Sequence, residues 1–177
     1  MKRFLLAIVA LFSCNTVDAG NRIKTLSGSL DIIQENTKAV LESDYSTSLW
    51  DKDDLFKDYW KGEYNDVVKV CDMVFTNAFN DNSKGMKIVD NRQDAKYVII
   101  ISFKDFICKV GSFYKKNVFI LATIVIKDIE TEESVCVLSI NKLYGKGDYV
   151  EKDALAKAQV ELAKQLTIHS SNEEDGD

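Results

Sequence analysis

The chain has 177 residues and a formal net charge of −5, with 46% hydrophobic and 29% charged residues. This composition is typical of a globular protein with one packed domain, and it excludes a disordered or fibrous chain. The acidic balance, without any run of Lys and Arg interleaved with aromatic residues, argues against a nucleic-acid partner.

The amino-terminal segment has the pattern of an export signal. Lys2 and Arg3 precede an unbroken apolar run, Phe4–Phe12, and the short polar stretch that follows ends in the small residue Ala19. We therefore predict a signal peptide over residues 1–19, cleaved after Ala19, and a periplasmic or extracellular product. Because the apolar run is much shorter than the ~20 residues of a spanning helix, we expect no transmembrane span in the mature chain.

A second way of processing the same segment stays open. Leu11-Phe12-Ser13-Cys14 resembles a bacterial lipobox, in which Cys14 would become the lipidated first residue. The product would then be a lipoprotein held to a membrane by its acyl chains rather than by a span.

Cleavage after Ala19 leaves three cysteines in an oxidising compartment. Cys71 is predicted on the apolar face of a helix, and Cys108 and Cys136 in apolar strands. The three are either buried small hydrophobic residues, or Cys108 and Cys136 form one disulfide. There is no Cys-x-x-Cys, and His169 is the only histidine, so we predict no metal site and no cofactor.

The first part of the mature chain is predicted to contain a hairpin and an aromatic segment. Two short apolar runs, Ser29–Ile33 and Ala39–Tyr45, are separated by a polar stretch, which favours a β-hairpin. An acidic, aromatic segment follows over Leu49–Trp60, with aromatic residues at helical spacing.

The clearest helix in the sequence covers Glu63–Phe79. Its apolar residues recur at steps of three and four, which is typical of an amphipathic helix with one buried face. On this pattern we expect Val70 and Val74 to be buried. The stripe comprises Val67, Val70, Cys71, Val74, Phe75, Ala78 and Phe79.

The second half of the chain is predicted as strands closed by a helix. After a short strand, Met86–Val89, three apolar strands joined by polar turns favour an antiparallel meander. A second helix with Leu155 and Leu162 in its stripe follows, and residues 170–177 form an acidic tail that we expect to be disordered. The three long strands are Tyr97–Val110, Val118–Asp128 and Ser134–Tyr144, and the helix is Glu151–Thr167.

These elements predict one α+β domain over residues 20–169. Its sheet is mixed, mainly antiparallel and of about five to six strands, with the two main helices packed on one face. The other face is expected to be partly covered by the aromatic segment around Trp60. Any apolar remainder on that face is the best candidate for a partner site.

The standard catalytic motifs are absent from the sequence. There is no phosphate-binding loop, no Gly-x-Ser-x-Gly and no His-Glu-x-x-His, and no catalytic residue is predicted. The one ligand-like feature is the set Trp50, Tyr59 and Trp60, whose rings either fix a peripheral helix on the sheet or form a platform that stacks on a sugar ring.

Four short landmarks carry a family resemblance. The chain resembles a group of uncharacterised secreted proteins of gut Bacteroidetes, and in the order of its elements it is more loosely similar to the amino-terminal domain of the Tol-Pal translocation protein and to curli-secretion lipoproteins. The resemblance implies export, and it implies no catalytic residue. The landmarks are Asp44-Tyr45-Ser46, Phe75-Thr76-Asn77-Ala78-Phe79-Asn80, Asp94-Ala95-Lys96-Tyr97 and Gly145-Lys146-Gly147-Asp148-Tyr149.

Taken together, these patterns favour an exported cell-envelope protein without enzymatic activity. Its expected role is protein binding or scaffolding, with another envelope protein or a second copy of itself as the partner. The alternative is a glycan-binding module that uses Trp50, Tyr59 and Trp60.

Overall fold

The computed structural model describes residues 22–145 and 147–172. They form an α+β fold with one eight-stranded mixed sheet, and its strand order is β1-β8-β7-β6-β2-β5, with β3 beside β6 and β4 beside β3. The strands are β1 (Ile23–Gly28), β2 (Lys38–Asp44), β3 (Leu49–Trp50), β4 (Asp54–Leu55), β5 (Lys87–Ile88), β6 (Tyr97–Val110), β7 (Lys116–Asp128) and β8 (Ser134–Tyr144), and the α-helices are α1 (Phe56–Trp60), α2 (Tyr64–Asn82) and α3 (Glu151–Asn172).

The predicted meander is confirmed. The strands β6, β7 and β8 are antiparallel neighbours, and β7 lies in the centre between the other two. Parallel pairing of β2 and β3 with β6 makes the sheet mixed. There are eight strands rather than five to six because β1, β3 and β4 were not predicted as strands.

The predicted amino-terminal hairpin is wrong. Residues 30–33 form a 3₁₀ helix, whose first turn is capped by the Ser29 hydroxyl accepting from the Asp31 N–H at 3.1 Å. The strand before it ends at Gly28, which has φ of 75° and which closely approaches the backbone of Val135. The second run, β2, pairs with β5 and β6, so the two runs are not partners.

Both main helices pack on one face of the sheet, as predicted. The inner face of β6, β7 and β8 forms one core with α2 and α3. Leu155 and Leu162 on α3 are fully buried, but Val70 and Val74 on α2 are only half-buried, which corrects the predicted stripe. The buried row of α2 comprises Val67, Cys71, Phe75, Ala78 and Phe79.

The aromatic segment lies on the same face as the helices, not on the opposite one. Phe56 packs against Phe106 with ring centroids 4.7 Å apart, and Tyr45 packs on Phe103 at 4.5 Å. Phe56, Phe103 and Phe106 all belong to the core that the helices cover. The expectation that the aromatic segment partly covers the outer face of the sheet is therefore wrong.

Helix α3 extends to Asn172, which is three residues into the segment 170–177 that the sequence predicted as a tail. The signal peptide, the cleavage position and Cys14 lie outside the described residues. Among the helices in the described part of the chain, none has the length and apolar character to cross a membrane.

Candidate functional site

Three of the residues singled out in the sequence line one cavity at an end of the sheet. Trp50, Tyr59 and Cys108 surround a space of about 340 Å³ together with Lys116 and Glu151. We call this cavity the Tyr59 pocket. It lies at the lower end of the size range of small-ligand sites.

A tight turn positions the aromatic wall of the pocket. Residues 51–53 join β3 to β4, with left-handed φ values of 55° at Asp51 and 75° at Lys52. The Asp51 N–H donates to the Phe106 carbonyl at 2.7 Å, and the Lys52 N–H donates to the Asp105 carboxylate at 3.2 Å. Asp105 is itself nearly buried, and burial raises its pKa. These two bonds fix the turn to β6.

The three candidate ligand-binding rings have different exposures. Trp50 is 3% exposed and stacks on Tyr59 with centroids 4.9 Å apart, and Trp60 contacts both rings edge-on. The Trp60 indole Nε1 is buried without a hydrogen-bond acceptor among the described residues. Tyr59 is 38% exposed, so it is the one ring of the three with a large solvent-accessible area.

Glu151 is the polar centre of the pocket. It accepts from the Tyr59 hydroxyl at 2.5 Å and from the Lys116 ammonium at 2.5 Å. Burial raises the pKa of Glu151, but the bonds from Lys116 and Tyr59 outweigh burial and leave the pKa below its ordinary value. The hydrogen bond from the Tyr59 hydroxyl to Glu151, together with partial desolvation, raises the pKa of Tyr59 to about 12.

The Cys108 thiol is not arranged as a nucleophile. Burial raises its pKa, and the nearby Glu151 carboxylate raises it further. A catalytic cysteine needs the opposite shift, toward the thiolate. Within the described ranges, no group of three His, Cys, Asp or Glu residues is placed to hold a metal ion.

The proposed Cys108 to Cys136 disulfide does not fit the sheet. Cys108 pairs with Val118 on β7, whereas Cys136 pairs with Ile126 on the other side of the same strand. Across the sheet, Cys108 on β6 and Cys136 on β8 are separated by the whole of β7. Along the strands, they are displaced by the eight residues from Val118 to Ile126. Their Cα atoms are therefore well beyond the ~7 Å limit for a disulfide. Both are thiols in the structure, as is Cys71.

A second cavity, of about 380 Å³, was not anticipated. It lies between α2 and the β2–β5 edge, and Asp72 and Asp90 contribute its carboxylates. The Tyr45 hydroxyl donates to Asp72 at 3.2 Å, and burial raises the pKa of Asp72. The residues that line this second cavity come from three separate segments, so no local sequence pattern predicts the cavity.

The outer face of the sheet is not covered by the described helices. Successive side chains of β6, β7 and β8 point alternately to the two faces of the sheet. Those that point away from the helices form the outer face, and most of them are half-buried. Paired rows run across the strands: an apolar row, a hydroxyl row and an apolar-aromatic row. We call this surface the open face. Its rows are Ile100, Val125 and Val137; Ser102, Thr123 and Ser139; and Ile107, Phe119 and Tyr144.

Comparison with known proteins gives fold-level likenesses only. No protein-family model matches the chain, and no curated protein matches it.

Solved structures similar to the chain include the PelC dodecamer from Paraburkholderia phytofirmans, which is 12% identical over 82% of this chain and 96% of that chain with a TM-score of 0.45. A Xanthomonas campestris protein of the DUF330 family is 9% identical over 81% and 92%, with a TM-score of 0.44. A minor lipoprotein from Acinetobacter baumannii is 13% identical over 78% and 95%, with a TM-score of 0.33. None of these likenesses indicates a function for this chain, and its resemblance to secreted Bacteroidetes proteins stays a prediction.

Proposed function

We propose that the chain is an exported cell-envelope protein that binds another protein through the open face, without enzymatic activity. The observation that supports the proposal is that the open face carries apolar rows and is not covered by the described helices. One side of the sheet is packed by α2 and α3, and the described helices leave the other side uncovered. Contiguous apolar rows of this kind mark interaction surfaces in soluble proteins.

The composition of the open face suits a protein partner. The row of Ile100, Val125 and Val137 carries no charge, and the neighbouring row carries three hydroxyls that can donate to or accept from a partner backbone. Interface cores are depleted in charged residues, whereas their rims are polar. Lys127 and Lys109, at the two ends of the face, fit a rim.

The polar groups of the Tyr59 pocket suit binding better than catalysis. In the Tyr59 pocket the carboxylate of Glu151 is already bonded to Lys116 and Tyr59, and the Cys108 thiol has a raised pKa. Neither group is set up as a general base or a nucleophile.

Crosslinking in native envelopes tests the proposal. The wild-type chain should give a reproducible adduct, either with a second copy or with another envelope protein, and sedimentation of the purified chain separates these two cases. Val137→Lys should abolish the adduct because it places a charge in the apolar row. Met73→Lys, at an exposed position on α2, is the control and should leave it unchanged. An adduct that persists in Val137→Lys, or the absence of any adduct, contradicts the proposal.

A second candidate function is glycan binding in the Tyr59 pocket. The exposed Tyr59 ring borders a cavity with carboxylates and a lysine, which is the mixture of aromatic and polar groups that sugars require. Trp50 and Trp60 would support Tyr59 from behind rather than stack on the sugar. Since both indoles touch Tyr59, a bound glycan should change tryptophan fluorescence in the wild type and not in Tyr59→Ala. No change across a glycan panel removes this candidate.

A further inference from the structure

The turn between β6 and β7 presents the most exposed apolar side chains among the described residues. Phe113 and Tyr114 are 84% and 85% exposed, and Val110 at the end of β6 is 67% exposed. Phe113 and Tyr114 both have left-handed φ, of 59° and 60°. Non-glycine residues adopt this conformation at a cost, and here it holds two large rings outward where they bury nothing within the chain.

A second loop lies beside this turn and enlarges the apolar surface. Residues 148–150 lie directly before α3, and Lys116 and Asp148 exchange two backbone hydrogen bonds of 2.6 and 3.0 Å. Tyr149 and Val150 on this loop are 62% and 54% exposed. We call the five exposed residues of the two loops the tip patch; they are Val110, Phe113, Tyr114, Tyr149 and Val150.

Positive charge at the tip patch is confined to the β6–β7 turn. Lys109 and Lys115 flank the turn, and the Lys115 ammonium lies 5.4 Å from the centre of the Tyr149 ring. The adjacent carboxylates Glu151 and Asp148 are paired with Lys116 and Lys157. Asp51, Asp53 and Asp54 line the Tyr59 pocket together with Val110, so only the side of the tip that carries Phe113, Tyr114 and Lys115 can approach an anionic surface.

The path of the chain links the tip patch to the alternative in which Cys14 is lipidated. Strand β1 runs antiparallel to β8, and the Asn141 N–H donates to the Arg22 carbonyl, while the Arg22 guanidinium lies 4.2 Å from the Tyr144 ring centre. Tyr144 pairs with Phe119, near the β6–β7 turn. The chain therefore enters the fold at the same end as the tip patch. Cys14 is eight residues before Arg22, a reach of about 27 Å at full extension.

We propose that the tip patch docks on the surface of an anionic lipid bilayer, with Phe113 and Tyr114 entering the headgroup region and Lys109 and Lys115 contacting lipid phosphates. Aromatic residues concentrate at membrane interfaces, and nearby lysines add attraction to anionic lipids. A single acyl chain or a small apolar patch gives only weak attachment, whereas two such signals together give a stable one. If processing occurs at Cys14 instead of after Ala19, the acyl chains and the tip patch would meet the same bilayer. This inference goes beyond protein binding by the open face and does not depend on it.

Vesicle sedimentation of the processed chain tests the proposal. The chain should bind vesicles that contain phosphatidylglycerol and should bind pure phosphatidylcholine vesicles more weakly, with an affinity that falls as salt is added. The double variant Phe113→Ser/Tyr114→Ser should lose about tenfold or more in affinity, because two exposed rings no longer enter the interface. Lys109→Gln/Lys115→Gln should lose most of the salt dependence.

Matched controls separate docking from loss of the fold. Leu26→Ser/Met73→Ser removes two exposed apolar side chains from other parts of the surface and should leave vesicle binding unchanged. All these positions are exposed except the half-buried Lys115, so melting temperatures should stay close to that of the wild type. Brominated lipids should quench the emission of Phe113→Trp more strongly than that of the wild type, whose two indoles, Trp50 and Trp60, pack against Tyr59.

Two outcomes overturn the proposal. They are binding that survives in Phe113→Ser/Tyr114→Ser, and the absence of wild-type binding to either kind of vesicle. If the wild type binds no vesicles and Phe113→Ser/Tyr114→Ser loses self-association, the tip patch is assigned to a second copy of the chain.

Discussion

At the scale of single residues, Cys108 differs from the other two cysteines of the described residues in its access to solvent. Cys71 and Cys136 are 2% and 1% exposed, whereas Cys108 lines the Tyr59 pocket and is half-buried. We expect a small maleimide to alkylate Cys108 and neither of the other two in the folded protein, which mass spectrometry of the digested chain would show. The reaction should be slow at neutral pH and accelerate with rising pH, since burial raises the pKa of Cys108.

The opposite result would be informative. A disulfide between Cys108 and Cys136 would leave Cys108 unreactive until a reductant is added. In denaturant all three thiols should react, and this sample gives the extent of alkylation when every thiol is accessible.

Tyr59 and Glu151 give a second residue-scale prediction, on pH dependence. The phenol of Tyr59 should ionise with a pKa of about 12, above its ordinary value of 10.0, because Glu151 accepts its proton in a hydrogen bond. The folded state therefore favours the neutral phenol. Its contribution to stability is present below the unfolded pKa and is lost as pH rises through the folded pKa. Phenolate absorbance during an alkaline titration, compared with that of Tyr59→Phe, isolates this group.

Glu151→Gln is the matched variant for this titration. Without the carboxylate, the pKa of Tyr59 should move back toward 10.0. An unchanged titration curve in Glu151→Gln would show that the hydrogen bond between the two side chains is not the cause of the shift.

At the scale of elements, the buried row of α2 runs at steps of four and not along the broader stripe that the sequence suggests. Phe75 is 1% exposed and Val74, its neighbour, is half-buried. Phe75→Ala should lower the free energy of unfolding by about 3–5 kcal/mol, since it leaves a cavity in the core, while Val74→Ala should cost about 1 kcal/mol or less. Chemical denaturation of the two variants measures both values. Equal losses would contradict the packing of α2.

The elements that the sequence predicted best are those whose periodicity is long. The three strands of the meander and α3 were recognisable because apolar residues recur over ten or more positions. The short run Ser29–Ile33 failed, because a hydroxyl cap on Asp31 and the turn at Gly28 favour a 3₁₀ helix over a strand, and four residues carry no reliable period. Its apolar residues are nonetheless in the core.

The Tyr59 pocket was only partly predictable for a similar reason. Trp50 and Tyr59 stand out in the sequence as aromatic residues beside carboxylates. Lys116 and Glu151 do not, because they reach the pocket through the register of β7 and the path of the loop before α3. Periodicity also gives no information on which face of the sheet a segment covers, which is why the aromatic segment was expected on the wrong side.

At the scale of the whole molecule, the sheet has two unlike faces. The inner face is closed by α2 and α3, and its side chains make one continuous core. The open face is made of the alternate residues of the same strands, and the tip patch lies at the sheet end where β6 turns into β7. The surface proposed for a protein partner and the surface proposed for a bilayer share only Lys109, so Val137→Lys and Phe113→Ser/Tyr114→Ser test the two proposals separately.

Two neighbouring residues on β7 allow this asymmetry to be measured. Ile124 is fully buried against the helices, whereas Val125 points to the open face and is half-buried. Ile124→Asp would bury a charge without a partner, so we expect a loss of several kcal/mol and a chain that does not accumulate. In Val125→Asp the carboxylate can reach water, so the loss should be about 1 kcal/mol and the protein should fold, while its crosslinking through the open face should disappear. Thermal unfolding and crosslinking of Val125→Asp, with expression levels of both variants, test the prediction. If Val125→Asp were as damaging as Ile124→Asp, the outer face would have to be covered within the chain, and the open face would not be available to a partner.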